Sequence, residues 1–345
     1  PAAAVDSGAV DALARVTGYP VVAEAASQLR FAGLDPAATL DAFDSLLDLP
    51  RFVATYRPDL VLQVGRPPTA SAWNVAIEAW PDTGRYVLAP HDWADPWSTA
   101  TVIRTPLTAG VGALTRALGP DAAAETEWRD ELRGLDRRAW SVIEAALAEG
   151  FSEAAAVRAV VDRLPRDGVL AVGNSLPIRE VNAFVPSGDS GIPVWSQRGA
   201  NGIDGLISGA AGAAAASGRP VTLLLGDVSF AHDVGGLRAI RDLPAPVTVV
   251  VLNNGGGRIF ERLPLADRLA DDPALDAWLT PPGVDVGAAA AAFGLDHARA
   301  TDVQSLGAAL DATADGGVVE VVVPAGGTTA HQRDLARRLE TVLGG

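Results

Sequence analysis

Val221-Thr222-Leu223-Leu224-Leu225-Gly226-Asp227-Val228-Ser229 reads as an apolar strand that ends in a glycine and an aspartate. A second stretch has the same form: Val247-Thr248-Val249-Val250-Val251-Leu252-Asn253-Asn254-Gly255-Gly256-Gly257. Runs this apolar, with no polar alternation, fit strands of a parallel sheet covered on both faces. Twenty-seven positions separate Asp227 from Asn254, about one strand–helix–strand unit, which returns the chain to the same edge of such a sheet. Ligands of open α/β sheets bind outside the carboxyl ends of the strands, where both polar segments fall.

The same alternation extends outward in both directions. Val169–Val172 is a strand followed by Gly173-Asn174-Ser175, Val194–Ser196 is short and extended, and Val318–Val323 is a late strand before a closing helix over His331–Leu343. Ile203 to Ala216 reads as a helix of small residues. In the first half, Leu60–Gly65 and Arg85–Ala89 are strand candidates, and Pro20–Ala23 is a shorter apolar run. Between the halves, Asp121 to about Leu164 is rich in Ala, Glu, Arg and Leu, with a break at Gly150-Phe151-Ser152 and a helix start at Ser152. The expectation is an α/β protein of two three-layer α/β/α domains with mainly parallel sheets. Residues 1–135 form the first, a helical linker runs to about 150, and 151–345 form the second.

Composition excludes several classes of chemistry. The chain has no cysteine, so disulfides, thiolate metal sites and a cysteine nucleophile are ruled out. Its four histidines, His91, His232, His297 and His331, have no metal-ligand spacing. A formal net charge of −15 and the lack of a basic block argue against nucleic acid as a partner. No apolar run is long enough to span a membrane, and no signal peptide is visible, so a cytoplasmic location is expected.

An acidic chain binds anions with local devices, and the strand-end loops supply them. Asp227 is a hard oxygen ligand, the Asn254 side-chain oxygen is a second, and the Gly256 carbonyl is a third, a set that suits Mg²⁺, with Mn²⁺ as a substitute. Taken singly, Gly-Asp reads as a helix cap and Asn-Gly as a turn. Their spacing makes the metal reading the stronger one.

The pair resembles the thiamine diphosphate signature, in which Gly-Asp-Gly is followed one βαβ unit later by Asn-Asn. Val228 departs from the third glycine. That departure is similar to the menaquinone-pathway 2-succinyl-5-enolpyruvyl-6-hydroxy-3-cyclohexene-1-carboxylate synthase (MenD) family, which joins 2-oxoglutarate to isochorismate. Three further segments resemble that family: Gly173-Asn174-Ser175-Leu176-Pro177-Ile178-Arg179, Arg198-Gly199-Ala200-Asn201-Gly202-Ile203-Asp204-Gly205, and Asn253 through Leu263.

The resemblance implies roles. Asp227, Asn254 and Gly256 would hold Mg²⁺; Gly226, Ser229 and Asn253 would lie against the thiamine diphosphate. Ile203 would wedge beneath the cofactor, and the Asn201 carbonyl would meet its aminopyrimidine. Ser175, Arg179 and Arg198 would bind dicarboxylate substrates, with Arg66 a further candidate. Ile259, Phe260 and Leu263 would form an apolar wall. It also implies a homodimer or homotetramer, and an activating glutamate on a pyrimidine-binding domain preceding Pro1. The lack of an initiator methionine fits that expectation, and the chain alone is then expected to be inactive. Two other readings stay open at this level: an acetolactate-synthase-like carboligase, and a non-catalytic cofactor-binding or assembly module.

Overall fold

The computed structural model describes residues 5–91, 93–119, 126–269, 272–324 and 327–344. The chain divides into two compact units, the first built mainly from residues 1–142 and the second from 143–185 and 192–335. Helix Glu127–Ala148 carries the chain from one to the other, so the change of unit falls inside a helix. Residues 121–125 of the expected helical region lie outside the described residues.

The first unit holds a three-stranded parallel sheet, β1 (Leu60–Val64), β2 (Gly84–Ala89) and β3 (Thr101–Arg104), in that order. One face packs Leu62, Val64 and Leu88 against helices Ser7–Thr17 and Leu107–Leu118, through Val10, Leu13 and Val111. The other face buries Val87 and Ala89 with Ala94. Pro20–Ala23 is not a strand: Val21 makes an isolated parallel bridge with Thr39 and nothing longer. β3 carries no sequence signature because its residues are mostly exposed and no buried apolar run marks it.

The second unit is a six-stranded parallel sheet. Its strands are β4 (Val169–Val172), β5 (Val194–Ser196), β6 (Val221–Gly226), β7 (Val247–Asn253), β8 (His297–Ala300) and β9 (Gly317–Val322). Their order across the sheet is β5-β4-β6-β7-β9-β8. β6 and β7 occupy the middle and are buried along nearly their whole length, which is why their sequences lack polar alternation. Alternate residues face opposite sides. Leu223, Leu225, Val249 and Val251 pack with Phe230, Val286 and helix Leu206–Ser217 on one side. Helices Leu176–Phe184 and Val303–Ala312 cover the other, with Glu153–Asp162 packed on both of them.

Two local expectations need correction. The small-residue helix starts at Leu206 rather than Ile203, because Gly205 sits at φ +66°, a left-handed conformation no helix interior accepts. Ile203 therefore lies on the loop before the helix. The last helix begins about one turn earlier than expected, at Gly327. Ser152 caps helix Glu153–Asp162 as expected, its side chain accepting the Ala155 N–H at 3.1 Å. No helix among the described residues is long and apolar enough to cross a membrane.

Candidate cofactor and metal site

β6 and β7 run side by side with Gly226 opposite Leu252, so Asp227 and the Asn253–Gly257 loop emerge at one edge. Asp227 opens helix Asp227–His232 and is only 3% exposed. Its Oδ1 accepts the Val228 N–H at 2.8 Å, and its Oδ2 accepts the Gly256 N–H at 2.8 Å. The second bond ties the two strand-end segments together. Burial pushes the Asp227 carboxyl above its ordinary range, and the N–H groups of Val228, Gly256 and Gly255 offset only part of that. A buried carboxylate still disfavoured as the anion is a group that a cation would relieve.

Asn254 is 4% exposed. Its Nδ2 donates to Glu153 Oε2 at 2.9 Å, while its Oδ1 is buried without a hydrogen-bond partner. Leaving such an oxygen unsatisfied costs about 1–3 kcal/mol, so its presence asks for a ligand. The Gly256 carbonyl accepts the Arg258 N–H at 2.8 Å and keeps a second lone pair. Gly256 itself sits at φ +127°, and a Cβ there would come within 2.7 Å of the Leu279 carbonyl. The donors are one carboxylate, one amide oxygen and one peptide carbonyl, an all-oxygen set that fits Mg²⁺. Among the described residues no group of three or more His, Cys, Asp or Glu side chains forms an alternative metal centre.

Ser229 is buried on the same short helix. A Cβ built on Gly226, by contrast, would meet no atom within 4 Å. Asn253 is turned elsewhere: its Nδ2 donates to Glu320 Oε1 of β9 at 2.7 Å.

A second group gathers at the ends of β4 and β5, next to β6 in the sheet. Its hub is Asn174, 2% exposed. Asn174 Nδ2 donates to the Gly202 carbonyl at 2.6 Å and the Gln197 carbonyl at 3.3 Å, and its Oδ1 accepts from Arg198 Nη1 at 2.8 Å. One side chain thus joins the Ser175 loop to the Arg198–Ile203 loop. Arg179 Nη1 donates to the Ser175 carbonyl at 2.7 Å, which curls it back toward the same strand end. Ser175 holds φ +72° and Asn201 φ +60°, both in the left-handed region that non-glycine residues enter rarely and at some cost. Ile203 is half-buried and Asn201 exposed.

Ile259, Phe260 and Leu263 follow the Asn-Asn loop, the first two on a 3₁₀ turn over Arg258–Arg262 and Leu263 just after it. Phe260 is 41% and Leu263 45% exposed, so neither is a core residue; the Phe260 ring leans on Trp278 with centroids 5.6 Å apart. Arg66 is an exposed residue of the first unit, in the bend after β1. His232 is exposed at the end of its helix.

Three residues outside the sequence-predicted site residues make contacts that tie the site together. Asn174 and Glu153 act across 28 and 101 positions, respectively. Asp233 Oδ2 accepts the Ile207 N–H at 2.7 Å and the Ser208 N–H at 3.3 Å, capping helix Leu206–Ser217 from another element. A second buried carboxyl, Glu180, 1% exposed, lies close enough to Glu153 to feel its charge. Burial and the neighbouring Glu153 charge hold Glu180 well above the usual carboxylate range, against the opposing influence of Arg262 and the Gln332 hydrogen bond.

Comparison with known proteins agrees with this geometry. Residues 195–323 match the family described as thiamine pyrophosphate enzyme, C-terminal TPP binding domain. The matched span holds β6 to β9 with the Asp227 and Asn254 segments. Relatives cover nearly the whole chain, and all three described here carry the name 2-succinyl-5-enolpyruvyl-6-hydroxy-3-cyclohexene-1-carboxylate synthase. The protein from Sorangium cellulosum is 40% identical over 92% of this chain and 54% of its own length. That from Myxococcus xanthus is 36% identical over 98% and 58%, and that from Halobacterium salinarum 30% identical over 99% and 57%. The chain belongs to this synthase family and spans about half the length of the relatives it matches.

Proposed function

We propose that this chain provides the diphosphate- and metal-binding part of a synthase that decarboxylates 2-oxoglutarate and adds the remaining four-carbon unit to isochorismate. The observation that carries the reading is the Asp227–Gly256 bond beside the unpartnered Asn254 oxygen. Thiamine diphosphate, when bound, supplies the electron sink for loss of CO₂.

The chain's own residues do the holding and orienting. Asp227, Asn254 and the Gly256 carbonyl take Mg²⁺, and Gly226 and Ser229 face the diphosphate. Asn253, committed to Glu320, contributes through its backbone. Ile203 and the Asn201 carbonyl, on the loop that Asn174 fixes, meet the cofactor rings. Arg179 and Arg198, with Ser175, pair with substrate carboxylates by charge-assisted hydrogen bonds. The exposed Ile259–Leu263 segment offers apolar surface to the isochorismate ring, and Arg66 of the first unit serves as a further cation. Assembly as a homodimer or homotetramer in the cytoplasm, and a cofactor-activating glutamate outside this chain, complete the proposal by family resemblance.

Substrate preference in the intact protein tests it. 2-Oxoglutarate should outcompete pyruvate, and Arg198→Ala should raise the KM for 2-oxoglutarate roughly tenfold or more, as expected for losing a charged hydrogen bond of about 1.5–3 kcal/mol. Preference for pyruvate, unaffected by Arg198→Ala, would point to an acetolactate-synthase-like enzyme.

A further inference from the structure

We infer that Glu153 is a positioning residue for the metal site: its carboxylate selects the one orientation of the Asn254 amide that offers an oxygen to the cation. The inference rests on the proposed metal role of Asn254 and deepens it.

An asparagine amide presents a donor on one side and an acceptor on the other, and the two ends are nearly identical in shape. Sterics alone therefore do not fix which end faces Glu153. Only an amide oxygen can ligate Mg²⁺; the NH₂ end carries its protons outward and repels a cation. Glu153 breaks this near-degeneracy. As a carboxylate it only accepts, so the end of Asn254 that faces it must be the donor, as the 2.9 Å Nδ2–Oε2 contact records. The oxygen then has to point the other way, where it is buried and unpartnered.

Burial strengthens the selection. Glu153 is 2% and Asn254 4% exposed, so water does not compete for either group. A flipped amide would set its oxygen against a buried carboxylate oxygen, leave an NH₂ without an acceptor, and lose the metal ligand at once. Glu153 is moreover the first residue of helix Glu153–Asp162, whose start is fixed by the Ser152 cap. Its carboxylate is thus delivered from a rigid element rather than a loop. Groups that orient metal ligands in this way typically account for about 10–100-fold in metal affinity.

The test is Mn²⁺ titration of the intact protein at saturating thiamine diphosphate, with free Mn²⁺ read by electron paramagnetic resonance and folding checked by Tm. Glu153→Gln can turn either end of its own amide toward Asn254, so it no longer dictates the flip and should bind Mn²⁺ more weakly than wild type but more tightly than Glu153→Leu. Glu153→Leu removes the acceptor and should bind about 10–100-fold more weakly than wild type. Asn254→Asp added to Glu153→Leu should restore most of that loss, because a carboxylate has an oxygen at either end and needs no orienting partner; a purely structural role of Glu153 would not be rescued this way. Asp227→Ala separates the two levels of the argument. If it leaves Mn²⁺ binding unchanged, the metal site itself is wrong. If it abolishes binding while folded Glu153→Leu binds normally, the metal site stands and the role of Glu153 is overturned. Should Glu153→Leu not fold, Asn254→Asp alone should weaken Mn²⁺ binding through repulsion with Glu153, and Glu153→Gln in that background should recover it; no recovery also overturns the inference.

Discussion

Gly256→Ala and Gly226→Ala form a matched pair that separates a backbone requirement from a ligand requirement. Gly256 sits at φ +127°, outside the conformations an L-residue holds without strain, which costs about 1–3 kcal/mol. The new Cβ would also stand 2.7 Å from the Leu279 carbonyl oxygen. That carbonyl cannot retreat freely, because it accepts the Gly257 N–H at 2.6 Å. Strain and overpacking together give an expected loss of about 2–4 kcal/mol, or a loop displacement that breaks the Gly256–Asp227 bond. Gly226 differs on both counts: its φ of −82° and ψ of 165° suit any residue, and a Cβ there meets nothing within 4 Å. Gly226→Ala should therefore leave stability within about 0.5 kcal/mol of wild type. It should nevertheless weaken thiamine diphosphate binding, since the methyl would occupy space proposed for the diphosphate. Urea unfolding with unchanged m, read beside cofactor titration, distinguishes the cases. A Gly256→Ala protein of native stability and affinity would refute the loop argument. A Gly226→Ala protein of native affinity would refute the placement of the diphosphate.

Two further outcomes concern parts of the fold outside the metal site. Burial pushes the Asp136 carboxyl to about 6 from 3.8, although it accepts the Ala42 N–H at 2.8 Å. A raised carboxyl binds its proton more tightly when folded, so stability falls as pH rises from about 4 to about 6, by up to roughly 3 kcal/mol. Asp136→Asn should thus gain on wild type over that window, measured as ΔG of unfolding against pH; a pH-independent difference would contradict it. Asp233→Ala should cost about 1–2 kcal/mol by uncapping helix Leu206–Ser217, and a loss under about 0.3 kcal/mol in urea unfolding would show the cap to be idle.

The middle of the second sheet was legible because its physics is local. β6 and β7 are buried on both faces, so their sequences had to be continuously apolar, and the polar residues that end them mark the ligand edge. Edge strands are a different matter. β3 and β8 bury too little of their length to leave an apolar pattern in the sequence. Ile203 reads as the start of a small-residue helix, whereas the left-handed backbone at Gly205 begins that helix only at Leu206. The residues that hold the site together were invisible for another reason. Glu153 and Asp233 act on partners far along the chain, and nothing in their own neighbourhoods distinguishes them from ordinary helix-start or turn residues; Asn174 sits in a marked motif, but its role as a link between two loops shows only in the fold. Motif spacing picks out the proposed ligands; the contacts that hold them appear only in the folded chain.

Asp227 and the Asn254–Gly256 loop are proposed to hold the metal that grips the cofactor diphosphate. Thiamine diphosphate binding to the intact protein, titrated with and without Mg²⁺, tests this directly. Binding should depend on Mg²⁺ in wild type and be abolished in a folded Asp227→Ala variant. Undiminished, Mg²⁺-dependent binding by Asp227→Ala would contradict that role.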